Sequence, residues 1–310
     1  GDHRDLHVRS RRQRQMCIRD SYQRPDGDHP SAALPAQPVI GRLVEHRSIL
    51  ILGRSCPWAH RTWLVHTLRR LGESLNLVMA TADHQGGRWK LDPPWRGCSS
   101  LLELYRHCGA PPSYRATVPV LVDPLEQRIL GNESAQLVEL LNRWPAAADA
   151  PDLAPEDLKP AMSKWQALLQ PDVNDGVYRC GFARSQAAYD RAEAALFNAL
   201  EQVEQSLGSR GPWLCGDRLT LADLRLFPTL IRWETVYDPL FGCSRQPLWQ
   251  LPNIWRWRQQ LLVLPGVLDT CDANAWRHDY FGALFPLNPS GIVPAGPELS
   301  KLVNSGVPAL

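Results

Sequence analysis

Ser48-Ile49-Leu50-Ile51-Leu52-Gly53-Arg54-Ser55-Cys56-Pro57-Trp58-Ala59-His60-Arg61 is the stretch that decides the fold. Residues 48–52 form an apolar run of the length expected for a buried strand. Beyond it, Trp63, Leu64, Leu68 and Leu71 recur at helical spacing. Cys56 therefore lies where a strand hands over to a helix. Pro57 suits the first helical position, where a missing N–H costs nothing. That makes Cys56 the expected N-cap, its sulfur beside unpaired N–H groups and the positive end of the helix dipole. A thiol so placed is expected to be a thiolate at neutral pH. The other reading of such a Cys is a small buried hydrophobe. The Cys-Pro step at the turn favours the reactive one.

Working outward, Gly72 stops the helix. Residues 75–80 read as a second strand, parallel to the first through a right-handed crossover. Residues 81–97, with Gly86-Gly87 and Trp89, read as a long loop, and 99–108 as a short helix with Leu101, Leu102 and Tyr105 inward. Residues 117–123 and 128–130 form a hairpin entered through Val118-Pro119. Asn132-Glu133-Ser134 opens a helix running to about Trp144. The order βαβαββα describes a thioredoxin-like domain over residues 47–145, preceded by an extended lead-in at 22–46. A Pro-, Ala- and Asp-rich linker at 146–155 follows. Residues 156–285 are helical in pattern, with segments at about 155–170, 186–207, 219–237 and 248–262. Thr220-Leu221-Ala222-Asp223 reads as a structural capping box with Asp in place of Glu. Residues 286–310 form a Pro- and Gly-rich tail. The expected fold is an α/β thioredoxin-like N-terminal domain followed by an all-α C-terminal domain.

Composition narrows the function. At 310 residues and 44% apolar, the chain suits about two domains with sizeable cores. No apolar run approaches the ~18–20 residues that span a bilayer. The polar, Arg-rich beginning has no signal-peptide core. Residues 11–20 could pass for a basic nucleic-acid arm. They back-translate instead to a transposon-based sequencing adaptor, and residues 1–7 to the flow-cell primer placed upstream of it. Residues 1–21 are therefore read as library read-through, not native, with the true start lost upstream. They hold six Arg and three Asp of the 34 basic and 32 acidic residues, so the remainder has a net charge of −1. No electrostatic case for nucleic acid or a membrane surface survives. Cys17 goes with them. The other cysteines, Cys56, Cys98, Cys108, Cys180, Cys215, Cys243 and Cys271, show neither C-x-x-C nor zinc-ligand spacing, so no metal is expected. An odd, dispersed set points to a reducing cytoplasm.

Several motifs together resemble a known family. They are Cys56–Arg61, read with Arg115-Ala116-Thr117-Val118-Pro119-Val120-Leu121, Asn132-Glu133-Ser134, Val177-Tyr178-Arg179-Cys180-Gly181-Phe182-Ala183, residues 223–232, Val236-Tyr237 and Asn288-Pro289-Ser290-Gly291-Ile292-Val293-Pro294. The chain resembles the glutathione transferase superfamily, and within it the Xi class of glutathionyl-hydroquinone reductases. The match runs from about Ser48 to Pro297. Thr-x-Ala-Asp indicates only the superfamily, whereas Gly-Phe-Ala and Asn-Pro-Ser-Gly-Ile-Val-Pro are far more specific to the class.

The resemblance implies a site. Pro119, cis in the family, would let Val118 pair its backbone with the cysteinyl unit of glutathione, as a sheet edge pairs with a peptide. Glu133 and Ser134, at a helix start, would hold the γ-glutamyl ammonium and carboxylate. Trp89, Arg115, Ala116 and Thr117 would complete the glutathione contacts. Cys56 would attack the sulfur of a glutathionyl-hydroquinone. The resulting mixed disulfide would be resolved by a second glutathione, with oxidised glutathione released. Ala59 stands where a second thiol would sit, in keeping with a monothiol route. Tyr178 would donate the proton, since a phenol ordinarily holds it to about pH 10. Tyr237 and Tyr280 would line the aromatic-substrate pocket. Taken singly, Pro119 could merely start an edge strand, Ser134 could be an ordinary cap, Arg115 a solvated charge, and Trp89 and each Tyr core residues. The class implies a homodimer. An Omega-like thiol transferase or dehydroascorbate reductase, and a non-catalytic transferase-like binding module, are the rival readings. Leu91, Asp279-Tyr280-Phe281-Gly282 and Leu284-Phe285-Pro286-Leu287 depart from the class pattern, and bear on the aromatic substrate more than on glutathione.

Overall fold

A computed structural model describes residues 36–83, 88–283 and 287–299. Strand β1 (Ile49–Gly53) is buried along its whole length, as its unbroken apolar run requires of a central strand covered on both faces. It pairs in parallel with β2 (Asn76–Asp83), Ile49 opposite Asn76. On its other side it runs antiparallel to β5 (Val120–Asp123), Ile51 opposite Val120, and β6 (Arg128–Gly131) closes that edge. Beyond β2 come β3 (Arg88–Trp95) and β4 (Cys98–Ser100), so the sheet order is β4-β3-β2-β1-β5-β6.

Two expectations are corrected here. The stretch 81–97 is not a long loop. Thr81–Asp83 continues β2, and Trp89 lies on β3 opposite Ala82. Asp92-Pro93-Pro94 hides the strand because proline cannot donate to a ladder. A register shift between Lys90 and Trp95 lets β3 carry it. Gly86-Gly87 lies outside the described residues. The lead-in is not extended throughout either, since Gln37–Glu45 forms helix α1, with a Pro in its first turn and Ile40 and Leu43 buried. Its composition masked three apolar positions, Ile40, Leu43 and Val44, at i, i+3 and i+4. The adaptor stretch and the rest of residues 1–35 lie outside the described residues.

Helix α2 (Pro57–Leu68) has Cys56 as its N-cap and Pro57 as its first residue. It packs against α4 (Ser134–Asn142) and α8 (Leu221–Leu230). It is buried almost all round, including His60, Arg61 and Thr62, because it lies between the sheet and the helical half. Most of their polar atoms are hydrogen-bonded. Thr62 donates to the Ala59 carbonyl at 2.7 Å. Arg61 donates to the Arg225 carbonyl at 3.2 Å and to Gln170 at 3.1 Å, its guanidinium 4.5 Å from the Trp58 ring. Helix α3 (Leu101–His107) is capped by Ser100.

After α4, residues 146–155 hold neither helix nor strand. The helical half comprises α5 (Lys159–Leu169), α6 (Gly176–Gly181), α7 (Gln186–Ser209), α8, α9 (Asp238–Phe241), α10 (Pro252–Leu262) and α11 (Ala273–Ala283). The helix expected over 219–237 is interrupted. α8 ends at Leu230, and Trp233–Tyr237 forms a π-helical turn, in which the Arg232 carbonyl accepts from Tyr237 N–H, five residues on, at 3.4 Å as well as from Val236 N–H at 2.8 Å. Such turns concentrate at functional sites. The Thr220/Asp223 capping box is present. Asp223, fully buried, also accepts from Leu214 N–H and the Trp257 indole, each at 2.9 Å. Asn288 ties the tail to α11 by donating to the Phe281 carbonyl at 2.8 Å. The architecture is the expected fold class, a thioredoxin-like sheet domain followed by a helical domain.

Candidate active site

The thiol side is built at the end of β1. Cys56 Sγ contacts the Val118 carbonyl at 3.5 Å, and Cys56 N–H donates to the Gly53 carbonyl at 3.1 Å. The Val118–Pro119 peptide is cis. A Cβ at Gly53 would stand 2.5 Å from two Trp89 ring atoms and 2.9 Å from Val118 Cγ2. Only glycine admits the indole this close to β1. Trp89, Val118 and Cys56 thus share one wall. Ala116 and Thr117 are half-buried on the approach to Val118, and Arg115 is exposed.

Two residues given no role by the sequence hold this wall in place. Tyr105 donates to the Thr117 carbonyl at 2.9 Å. Asn132 donates to Thr117 Oγ1 and to the Tyr105 hydroxyl, both at 3.1 Å. Asn132 stood inside the Asn-Glu-Ser motif, which was the available signal. Tyr105 read only as an inward helix position. The adjoining Glu133 caps α4, and Ser134 is its first residue. Ser134 is fully buried, and its Oγ has no hydrogen-bond partner among the described residues. An orphaned hydroxyl beside the first-turn N–H groups of a helix fits a carboxylate. That is the end group glutathione would offer.

The helical half contributes a group of aromatics. Tyr178 on α6, Tyr237 on the π-helical turn and Tyr280 on α11 bring their hydroxyls together. Tyr178 lies 2.5 Å from Tyr280 and 3.4 Å from Tyr237, and Tyr237 lies 3.3 Å from Tyr280. Burial pushes the Tyr178 phenol well above its ordinary range, and the neighbouring Tyr237 and Tyr280 add to it. Burial also raises Tyr280 well above and Tyr237 above that range, while the charge of Arg232 opposes the rise in both. Phe182 and Phe241, not foreseen as site residues, pack on Tyr178 at 6.4 and 5.3 Å. Trp58, on the first turn of α2, lies near-parallel to Tyr178 at 6.1 Å and joins the two sides. A negative charge on Cys56 reaches Tyr237, whose phenol it raises.

The remaining thiols differ in setting. Burial raises Cys98, Cys215 and Cys243, and pushes Cys108 up to about 11 and Cys271 to about 12. Each stays a neutral thiol at pH 7. Among the described cysteines, Cys56 is the one at a helix N-cap, whereas Cys108 and Cys271 sit at C-terminal ends. Among the described residues one cluster, His46, Asp123 and Glu126, has metal-ligand character. Its Asp123 carboxylate is already engaged by His46 at 2.8 Å and by the N–H groups of Leu125 and Glu126 in the β5–β6 turn. Of the departures from the class pattern, Leu91 is buried in the sheet core opposite Ala80, Phe281 is buried and Asp279 half-buried. Residues 284–286 lie outside the described residues.

A family model described as the C-terminal domain of glutathione S-transferase matches residues 186–260. The chain is 36% identical over 259 residues to the glutathionyl-hydroquinone reductase PcpF of Sphingobium chlorophenolicum, covering 80% of this chain and 82% of that protein. The chain belongs to the Xi class of the glutathione transferase superfamily. Relatives of known structure agree with this. Glutathione-bound YqjG of Escherichia coli K-12, also named a glutathionyl-hydroquinone reductase, has a TM-score of 0.75 at 33% identity, covering 82% of this chain and 86% of that one. The glutathione transferase Xi of Phanerochaete chrysosporium has a TM-score of 0.80 at 29% identity, covering 90% and 93%.

Proposed function

We propose that this Xi-class chain reduces glutathionyl-hydroquinones to hydroquinones at the expense of glutathione. The observation that carries the reading is the meeting of a helix-capping thiol, Cys56, with three clustered phenols through Trp58. In the first step the Cys56 thiolate attacks the glutathione sulfur of the substrate. The carbon–sulfur bond breaks, and a Cys56–glutathione disulfide forms. The carbon that loses sulfur gains a proton from Tyr178, leaving a phenolate shared with Tyr237 and Tyr280. A second glutathione returns its thiol proton to the phenolate and attacks the mixed disulfide. Oxidised glutathione leaves, and the Cys56 thiolate is restored. Trp89, Arg115, Ala116, Thr117, Val118, Pro119, Glu133 and Ser134 form the proposed glutathione site. Tyr237 and Tyr280 line the aromatic pocket.

We also propose two domains, 47–145 and 156–285, a metal-free homodimer and a cytoplasmic setting. Among the described residues no helix is long and apolar enough to cross a membrane. Steady-state turnover of a glutathionyl-hydroquinone with glutathione tests the function. Cys56→Ala should abolish it, and undiminished turnover would overturn the mechanism. A preference for dehydroascorbate would move the chain to the Omega-like reading, and failure to bind glutathione to the non-catalytic one. Sedimentation velocity tests the dimer.

A further inference from the structure

Tyr105, Thr117 and Asn132 come from three separate parts of the sheet domain and meet beside the thiol wall. Tyr105, on α3, and Asn132 are both buried. The Tyr105 hydroxyl donates to the Thr117 carbonyl at 2.9 Å, so its oxygen accepts from Asn132 Nδ2, at 3.1 Å. The second proton of that amide goes to Thr117 Oγ1, also at 3.1 Å. Thr117 is thus held twice, by its backbone and by its side chain. Its carbonyl belongs to the same peptide unit as the Val118 N–H. That unit is trans, so the two groups point opposite ways. Drawing the carbonyl toward Tyr105 therefore turns the Val118 N–H away from it.

Asn132 has a second effect through its place in the chain. It follows Gly131, which ends β6 opposite Leu121 on β5, and it precedes Glu133, the cap of α4. Its side-chain bond to Thr117 therefore ties the start of α4 to the residue before Val118. On one side of this tie stands the Val118 backbone, its carbonyl 3.5 Å from Cys56 Sγ. On the other stands the buried Ser134 hydroxyl, with no partner among the described residues. In the proposed site these two groups hold the cysteinyl unit and the γ-glutamyl carboxylate of one ligand, whose covalent span is fixed. A displacement of about 1 Å between them would weaken the hold on both ends.

We infer that Tyr105 and Asn132 are positioning residues that set which thiol the site accepts: Tyr105 aims the Val118 N–H, and Asn132 fixes its distance from the Ser134 hydroxyl, so a thiol with a γ-glutamyl arm is preferred to one without. The inference rests on the glutathione reading of the site and not on the fate of the aromatic substrate. Both residues act through Thr117 and not through the reacting atoms.

The test follows a single step, the reaction of Cys56 with 2-pyridyl disulfides. The Cys56 thiolate attacks the sulfur that does not carry the pyridine, the disulfide of the probe breaks, a new disulfide to Cys56 forms, and pyridine-2-thione leaves and is followed by its absorbance. Three probes carry glutathione, N-acetylcysteinylglycine and 2-mercaptoethanol. The second keeps the cysteinyl amide and lacks the γ-glutamyl end groups, and the third has neither. Cys56→Ala supplies the blank for the other thiols. One hydrogen bond of ordinary net strength corresponds to about 2- to 12-fold. Tyr105→Phe should slow both peptide probes alike, by about that factor. Asn132→Ala should slow the glutathione probe by about threefold or more beyond the N-acetylcysteinylglycine probe. In both variants the 2-mercaptoethanol rate should stay within about twofold of the parent, since that probe makes none of these hydrogen bonds. A general loosening around Cys56 would move it. Should Asn132→Ala not fold, Thr117→Val, which removes the Oγ1 acceptor and keeps the shape, takes its place. A parent that reacts no faster with the glutathione probe than with the 2-mercaptoethanol probe would sink the glutathione reading and the inference with it. A parent that shows the preference, with the ratios among the three probes unchanged in both variants, would overturn the inference alone.

Discussion

Replacing Ser134 by Ala separates binding from stability. The Ser134 hydroxyl is buried at the first residue of α4 and unpaired among the described residues. A buried polar group left unpaired costs about 1–3 kcal/mol, so the hydroxyl burdens the glutathione-free fold. Ser134→Ala is expected to leave that fold equally stable, or more stable by up to about 1 kcal/mol. A hydrogen bond to a charged group is worth about 1.5–3 kcal/mol. At about 1.4 kcal/mol per decade, losing it from the γ-glutamyl carboxylate weakens glutathione by roughly 10- to 150-fold. The helix N–H groups and dipole remain, which favours the lower part of that range, about 30-fold. The two effects cross in one experiment. Glutathione at 100 times the parent Kd stabilises the parent by about 2.7 kcal/mol, but a variant binding 30-fold more weakly by only about 0.9 kcal/mol. Urea denaturation with and without glutathione, alongside calorimetric titration, measures both. A variant that loses more than about 1 kcal/mol on its own while keeping the parent Kd would mark the hydroxyl as a structural cap and refute the reasoning.

Tyr178→Phe should cut kcat by about 10²- to 10⁴-fold, the range for a positioned proton donor, with the KM for glutathione little changed. Because burial and its two neighbours hold the Tyr178 phenol well above its ordinary value, the parent's kcat should show no loss from Tyr178 ionisation up to pH 10, checked by a pH–rate profile. Gly53→Ala drives a methyl into the Trp89 ring, so it should cost about 1–3 kcal/mol and alter tryptophan fluorescence and the glutathione KM together. Asp223→Ala strips acceptors from Leu214 N–H, Thr220 N–H and the Trp257 indole, and should destabilise by about 3–5 kcal/mol in urea. Burial alone would raise the Asp123 carboxyl, but the hydrogen bond from His46 and the Glu126 and Leu125 N–H groups hold it below the usual range. A depressed pKa contributes stability above the unfolded value that is lost as pH falls through the folded one. The stability gap between parent and Asp123→Asn should therefore shrink below about pH 4, followed by urea midpoints against pH.

Much of this was legible from local rules. The run at 48–52, the Cys-Pro step and the Thr-x-x-Asp box each state their structure in a few adjacent residues. The sequence failed where neighbours in space decide. The Asp-Pro-Pro of β3 is tolerated only because a register shift accommodates it. The break after Leu230 follows from packing rather than composition. Of the site, the three tyrosines could be named by motif, but the closeness of their hydroxyls could not, since they come from elements about 40–100 residues apart. Asn132 and Tyr105 were missed because a side chain that fixes another residue's backbone leaves no periodic trace. Arg232 and His60 read as part of a motif and gained a meaning only when the two halves were docked.

The six residues from Cys56 to Arg61 do not all serve the same half of the chain. Cys56 faces Val118 within the sheet domain, whereas His60 reaches Arg232 and Thr270, and Arg61 reaches Arg225 and Gln170. The thioredoxin-like half is therefore not a portable module. Severed at residues 146–155, it would present a guanidinium and an imidazole shaped for partners no longer there. A chimaera grafting this half onto a relative's helices would have to bring Gln170, Arg232 and Thr270 with it. Recombination between members of the class is thus constrained by this seam as well as by the substrate pocket.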